Sequence, residues 1–332
     1  MKINFLKKIG IICCMLISLS AYSQDPQFSQ FYAHSLYLNP AFTGNTDVGR
    51  LSGIYRNQWA SIPGAFVSYS FAYDHNLSSQ NSGVGLMVTS DKSGSGGLKF
   101  TRVGGLYSYN FQLNRKLVFR AGFNLSYTSR GIDKSSLVFA DQIIRDDASE
   151  TVERFSDDGN SYFDGTVGGL AYTKKLWVGF SVDHILQPEE SFLHNGSNLP
   201  LKTSIHAGYN IVLDENLKGK EESSVTMAFN YKHQLDWSQL DIGGYYNRNS
   251  FVLGLWYRGI PFIKTASLSN NDAIVLLLGF QPKGMKIGYS YDITISKLAG
   301  STGGSHEISL VYEYPYKKKK RKKRHFVPCA KF

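Results

Sequence analysis

Polar and apolar residues alternate along most of this chain. In "LVFRAGFNLSY", Leu117, Phe119, Ala121, Phe123, Leu125 and Tyr127 fall on one side of an extended strand, and Val118, Arg120, Gly122, Asn124 and Ser126 on the other. Val225, Met227, Phe229 and Tyr231 alternate with Thr226, Ala228, Asn230 and Lys232. Ile287, Tyr289, Tyr291 and Ile293 alternate with Gly288, Ser290, Asp292 and Thr294. The pattern predicts strands starting near Val48, Ala65, Gly83, Leu98, Lys116, Tyr162, Leu176, Leu201, Ser223, Leu240, Phe251, Ala273, Met285 and His306. That is an even set of about 14, separated by Gly, Asn, Asp and Ser. An even, repeated alternation of this kind is what a transmembrane, up-and-down antiparallel β-barrel requires, because closure removes edge strands and brings both ends of the wall to one side. The expected fold is therefore all-β, with an N-terminal plug-like segment.

The connections are an independent test. Even-numbered ones should be short turns, and "LNR" near 113–115, "KK" at 174–175, "NRN" at 247–249 and "QPKG" at 281–284 are short. Odd-numbered ones include long stretches: Arg130 to Asn160, Leu186 to Pro200, Ile260 to Asp272 and Ile295 to Ser305. The short link near 234–237 departs from this alternation. Aromatic residues gather towards strand ends, as in Tyr107, Tyr109 and Phe111, or Tyr312, Tyr314 and Tyr316, where an interfacial belt would hold them. A large soluble β-sandwich also alternates, but it does not explain fourteen such strands behind an export signal.

Ahead of the first strand, Phe28, Phe31, Tyr32 and Leu36 recur at helix-like spacing, and Asn39–Pro40 should stop any helix. An apolar segment of this length needs cover, which a plug in the barrel lumen supplies. The expected division is 1–23 as signal peptide, 24–47 as the lumen segment, 48–316 as the barrel and 317–332 as a basic tail.

Charge sharpens this picture at the two ends. The chain has 36 Lys+Arg and 26 Asp+Glu, a formal net charge of +10. Nine of those basic residues lie in 317–332 and three in 1–23, with no acid in either, so the body is close to neutral and no general polyanion-binding surface is implied. Lys2, Lys7 and Lys8 precede the apolar run Ile9–Leu19, and Ala21 and Ser23 follow as small residues at a cleavage site, which reads as a secretory signal. Cys13 and Cys14 sit inside the apolar run without a lipobox-like approach. Cleavage after Ser23 leaves Cys329 as the mature chain's sole cysteine, so no intramolecular disulfide forms. The run Lys317, Lys318, Lys319, Lys320, Arg321, Lys322, Lys323 and Arg324 would suit nucleic acid in another compartment. On an exported barrel it should lie in the periplasm, where it meets outer-membrane lipid headgroups or acidic faces of periplasmic machinery, each charge contributing ~1 kcal/mol at an anionic surface, or stays an extended solubilising tail.

The stretch "DPQFSQFYAHSLYLNPAFTG" (25–44), followed by "YRNQWASIPGAFVSYSFAYD" (55–74), resembles the opening of the PorP/SprF family of type IX secretion membrane proteins. "LVFADQI" (137–143), "YTKKLWVGFSVDHILQPEESF" (172–192), "LPLKTSIHAGYNI" (199–211), "GLWYRGIP" (254–261) and "GSHEISL" (304–310) agree in order, so the resemblance covers about 25–314. It marks Asn39, Pro40, Phe42, Gly44, Arg56, Gln58, Trp59 and Gly64 as family-motif positions. It implies an outer-membrane barrel that binds the C-terminal domain of a secreted adhesin, supports its export or surface attachment, in some members for gliding motility, and contacts type IX secretion components. It implies no catalytic residues and no cofactor.

The residues themselves offer little chemistry. The eight histidines form no metal-ligand spacing and none accompanies a Gly-x-Ser-x-Gly turn. Asp141, Asp146, Asp147, Glu150, Asp157 and Asp158 crowd the fifth connection. Calcium wants such oxygens, but their spacing is not that of an EF-hand, and a contact surface for an exported partner is the preferred use. Arg56 reads as a lumen residue bonded to the N-terminal segment, and Trp59 as an interface anchor. The main alternative is a FadL-like transporter for small hydrophobic molecules, also a fourteen-strand barrel. "AIVLLLGF" (273–280), apolar on both faces, would suit it. A barrel hydrolase is the third reading.

Overall fold

The computed structural model describes residues 25–314 except 48, 95–96, 115, 134–136, 138–139, 146–158, 193–195, 216–220, 266–267 and 297–298, with residues 140 and 261–270 described as backbone alone. The segment expected to be a signal peptide, the basic tail and Cys329 lie outside the described residues.

The wall is a closed antiparallel barrel of fourteen strands. In chain order these are β1 (Gly49–Gln58), β2 (Phe66–Leu77), β3 (Ser82–Ser93), β4 (Leu98–Gln112), β5 (Val118–Ile132), β6 (Gly159–Tyr172) and β7 (Leu176–Asp183). There follow β8 (Lys202–Glu215), β9 (Glu221–Gln234), β10 (Trp237–Arg248), β11 (Phe251–Thr265), β12 (Leu268–Phe280), β13 (Met285–Thr294) and β14 (Ser305–Tyr314). Each strand pairs with its neighbours in sequence, and β1 closes on β14 with Gly49 opposite Tyr314 and Gln58 opposite Ser305. Every strand expected from alternation is present, each start within a few residues of its expected place. Among the described residues no helix is long and apolar enough to cross a membrane. This fold crosses with strands, whose backbone groups are satisfied by the closed ladder.

The two faces of the wall differ as lipid and lumen do. Leu86, Leu125, Met227, Leu253, Leu278 and Ile308 are more than half exposed and form part of an outward apolar surface. Alternating with them, Ser70, Thr89, Arg102, Ser126, Thr226 and Ser290 are buried inward. This is the reverse of a soluble protein and is what hydrocarbon outside and polar groups inside demand.

One expectation is corrected. Ile260–Asp272 is not a long loop: β11 and β12 run on to Thr265 and Leu268, with Gly259 opposite Asn271 and Lys264 opposite Ser269. Pro261 lacks an N–H for the ladder, and the register shifts on either side of Gly259, itself at φ 138°, absorb the missing bond without ending the hairpin. The wall also steps down in height at β7. Thr166–Tyr172 of β6 pair with β7, while Gly159–Gly165 extend beyond it. The connection 184–201 runs beside that extension, with Asn160 Nδ2 donating to the Glu189 and Ser191 carbonyls. Among the described residues the two short α-helices are α1 (Ser35–Leu38), ahead of the wall, and α2 (Ala140–Ile144), in the connection 133–158.

Residues 25–47 thread the lumen. They contain a turn at 31–34, the helix α1 (Ser35–Leu38) and a 3₁₀ turn (Pro40–Phe42). Asn39 is extended and ends α1, and Pro40 opens the 3₁₀ turn, where its missing N–H costs nothing. Phe28, Phe31, Tyr32, Leu36, Ala41 and Phe42 are all buried. Strand β12 is apolar on both faces because its inner face meets this segment: Val275 and Leu277 join one buried cluster with Phe31, Tyr32, Tyr245 and Trp256. Phe31 packs edge-on to Trp256 at 5.3 Å between ring centres, and Tyr32 edge-on to Tyr245 at 5.5 Å.

Candidate functional site

The chemistry of this barrel is concentrated where residues 25–47 meet the inner wall. Contacts occur on every side of the lumen and along its length. Asp25 lies by His184 and Lys202, at the end of the barrel reached by the 184–201 connection. Gly44 lies by Asp74, at the opposite end, from which β1 starts. The two ends of the wall, Gly49 and Tyr314, therefore share one end of the barrel, while the first described residue is at the other.

Glu307 of β14 is fully buried and its carboxylate accepts the backbone N–H groups of Ser29 and Gln30 at 2.9 and 2.7 Å. Arg56 of β1, 2% exposed, donates to Glu307 at 3.1 Å, to Asp292 at 2.9 Å and to Ser29 Oγ at 2.8 Å. Arg258 of β11 reaches the same Ser29 Oγ at 2.7 Å and Asp292 at 2.9 Å, and pairs with Asp241 of β10 at 3.0 Å. Two cations and two carboxylates from four strands thus converge on one serine of the segment, with Asp241 of a fifth strand holding Arg258 from behind. Buried ions of this kind are tolerable only when each is paired and hydrogen-bonded, and removing one partner typically costs about 3–5 kcal/mol.

A second cluster holds the segment's first described residue. His184, just beyond β7 at φ 62° and wholly buried, contacts Asp164 through Nδ1 at 2.6 Å and Asp25 through Nε2 at 2.9 Å. Asp25 also accepts from Lys202 at 2.5 Å and lies 3.4 Å from Arg102. Burial opposes the charge on His184, but Asp25 and the bond to Asp164 outweigh it and push the imidazole up to about 9. Burial likewise would raise the Asp25 carboxyl, yet Lys202, His184 and Arg102 hold it well below the usual carboxylate range. An imidazolium that donates both N–H groups to carboxylates has no lone pair for a nucleophile's proton, which makes it a clamp rather than a general base.

The lower segment is gripped through its backbone. Asn39 donates to the Gly169 and Phe180 carbonyls at 3.0 and 2.9 Å and accepts from Ala41 N–H at 2.8 Å. Ser108 and Arg120 each donate to the Thr43 carbonyl at 2.6 Å. Gly44, at φ 63°, donates to Asp74, which also pairs with Arg50. Wall glycines make this approach possible: a Cβ on Gly122 would strike the backbone of Pro40 and Ala41, and one on Gly168 would strike the Asn39 side chain.

The structure places Asn39, Pro40, Phe42 and Gly44 in the lumen segment and Arg56 on the wall beside Ser29, with Gln58 accepting from Arg56 at 3.3 Å. Trp59 and Gly64 are elsewhere, in the exposed β1–β2 turn. There Trp59, at φ 62°, bonds through its N–H to Gly304 and packs its ring edge-on against Phe66. Asp141 is half-buried on α2 and pairs with Arg145 one turn on. Asp146, Asp147, Glu150, Asp157, Asp158 and Lys317–Arg324 lie outside the described residues. Sequence reasoning missed Asp25, Asp164, His184, Asp241, Arg258, Asp292 and Glu307 as a set. Their signal was charge on the inward-facing side of a strand, or just beyond it. Among the described residues no group of three or more His, Cys, Asp or Glu side chains could hold a metal ion.

A sequence model described as "Type IX secretion system membrane protein PorP/SprF" matches residues 20–312. The chain belongs to the PorP/SprF family. Its barrel is an outer-membrane fold and its system is type IX secretion. A search of curated proteins gives no match. Among solved structures, this PorP/SprF chain is similar to the CymD monoaromatic hydrocarbon channel, at 12% identity and TM-score 0.49 over 86% of this chain and 93% of that one. It is also similar to the Pseudomonas putida toluene transporter TodX, at 11% identity and TM-score 0.44 over 87% and 94% of the two chains. The KdgM porin matches at 11% identity and TM-score 0.38, over 80% and 99%.

Proposed function

We propose that this PorP/SprF barrel works by docking, without catalysis. It binds the C-terminal domain of a specific secreted adhesin, supports that protein's export or surface attachment, and serves gliding motility where the adhesin does. The observation that carries the reading is the lumen: residues 25–47 fill it and are tied by buried ion pairs and backbone bonds to wall strands on all sides. A rigid, filled barrel is suited to presenting loops, and long loops on a rigid scaffold carry recognition. The inward apolar residues that would line a transporter's path, Val275 and Leu277, are packed in the cluster around Phe31 and Tyr32.

In this reading residues 24–47 are a permanent plug and 48–316 the barrel. The acidic fifth connection, with Asp141, Asp146, Asp147, Glu150, Asp157 and Asp158, faces the exported partner. Gly49 and Tyr314 face the periplasm, so the tail Lys317–Arg324 meets periplasmic secretion components or outer-membrane lipid. The test is affinity purification of the tagged protein from its native outer membrane, as the full chain and as a chain ending at Tyr316, with mass spectrometry of what accompanies it. A large surface protein and periplasmic components on the full chain, the latter lost on truncation, are the expected result. A barrel that comes down alone, under conditions that keep secretion complexes intact, would overturn it.

A further inference from the structure

Between the start of the lumen segment and the ends of β7–β10 lies a cavity of about 60 Å³. It sits at the barrel end served by the 184–201 connection, and Asp183, Lys202 and Trp237 on its rim are partly exposed, so it is reached from that side. Its charged lining is two lysines and two aspartates. Both aspartates lie against Lys202, Asp25 at 2.5 Å and Asp183 at 3.4 Å, and Asp25 is shared with His184 and Arg102 as well. The other lysine, Lys232, has a longer contact to Asp241, 3.8 Å, and that carboxylate is already taken by Arg258 at 3.0 Å and by Gln239 at 2.9 and 3.0 Å. The lining is neutral overall, and Lys232 is its less closely paired cation. A second, independent observation is His34, which lines the same cavity, is buried, and has an Nε2 with no hydrogen-bond partner among the described residues. The rest of the lining is mainly apolar, with Phe28, Phe31 and Trp237, and is interrupted by Gln27, Ser204 and Gln234.

From these features we infer that the cavity is a binding site for a single carboxylate on an apolar stem. The loosely paired Lys232 offers one cation to one negative charge. The unpartnered imidazole nitrogen supplies a donor for a second oxygen. A space of this kind takes several waters, at roughly 10–15 Å³ each, so it holds a carboxylate and a short stem, and a longer stem would leave towards the loops. The aromatic wall favours an apolar stem over a sugar acid or phosphate. A small free monocarboxylic acid and the terminal carboxylate of a polypeptide share this chemistry. The inference rests on the cavity alone and stands independently of the export role.

The test uses the full mature chain, purified in detergent, with binding followed by calorimetry. The probes are butyrate, its neutral analogue butyramide, and one short peptide ending in phenylalanine, as free acid and as amide. The acids are expected to bind and the amides to fail. Lys232→Met should weaken acid binding about tenfold or more, the loss expected for one charged hydrogen bond, and His34→Phe should weaken it as well. Heat-modifiable gel mobility confirms that each variant is a folded barrel. Binding of butyrate alone identifies a free acid as the ligand, and of the peptide acid alone a chain terminus; either supports the site. No binding of either acid at millimolar concentration, equal binding of acid and amide, or unchanged affinity in Lys232→Met with the barrel intact would overturn it.

Discussion

At the scale of single residues, what is not there matters as much as what is. Gly122 and Gly168 face inward, where any side chain would occupy the space of the Pro40–Ala41 backbone or of Asn39. Alternation gives the reason for their orientation but not for their identity, since an inward wall position in an empty barrel would accept serine or threonine. The identity makes sense once a second backbone lies against the wall. Gly122→Leu should therefore leave the strands paired and push the 3₁₀ turn off its seat, at a cost of about 1–3 kcal/mol, the usual range for overpacking. Gly105→Leu on the neighbouring strand is the matched control, because Gly105 is exposed and a Cβ there meets nothing within 4 Å. Limited proteolysis of folded barrels in detergent reads the difference: new cleavage within residues 25–47 is expected in the Gly122 variant and absent in the Gly105 variant. Equal protection in both would show that the segment does not depend on that contact.

At the scale of elements, the strands were legible and their partnerships were not. Alternation marks inward and outward faces residue by residue, so β5, β9 and β13 could be drawn from the chain alone. It failed at the β11–β12 hairpin because Gly259 and Pro261 carry the composition of a loop while sitting in a bulge. For the lumen segment, Phe28, Phe31, Tyr32 and Leu36 suggested a helix, yet the regular helix is only Ser35–Leu38. The aromatics are placed by the inner wall around them rather than by helical period. Arg56 could be assigned to the lumen from its strand position, whereas its partners could not: Glu307 is 251 residues away and meets it only because β14 closes on β1. Deleting residues 25–44 tests the segment as an element. Much of the inner wall it leaves is polar, apart from the apolar patch at Val275, Leu277 and Trp256, so the barrel should still close and now hold water. In planar bilayers the full chain should show little conductance and the deletion a stable open pore. Equal conductance in the two would mean that the segment does not seal the lumen.

For the molecule as a whole, the two clamps along the lumen differ in how they respond to pH. The one around Ser29 pairs arginines with carboxylates. The one at the loop end depends on His184, faced by Asp164 on one nitrogen and Asp25 on the other, with Lys202 and Arg102 on Asp25 and Asp183 beside Lys202. With its imidazole pushed up to about 9 from an ordinary 6.5, His184 binds its proton more tightly in the folded chain than in the unfolded one. Its contribution is therefore complete below about pH 6.5 and is lost as pH rises through 9, in all about 3 kcal/mol. On the acid side Asp25 stays ionised below the ordinary carboxylate range, so its contribution is lost only as pH falls from about 4 through its lowered value. His34 works in the opposite sense to His184: burial, with Arg50 as a nearby charge, lowers it to about 3, so stability falls as pH drops from 6.5 towards 3. The two histidines together place the greatest stability near pH 6.5. The temperature at which the folded form disappears on semi-native gels should peak there and fall steadily from pH 7 to 9. In His184→Gln it should be lower at pH 6.5 and nearly level from 7 to 9, because the titrating group is gone. A wild-type protein that is level across that range, or a variant that falls with it, would place the pH dependence in another group and leave the His184 clamp without the charge assigned to it.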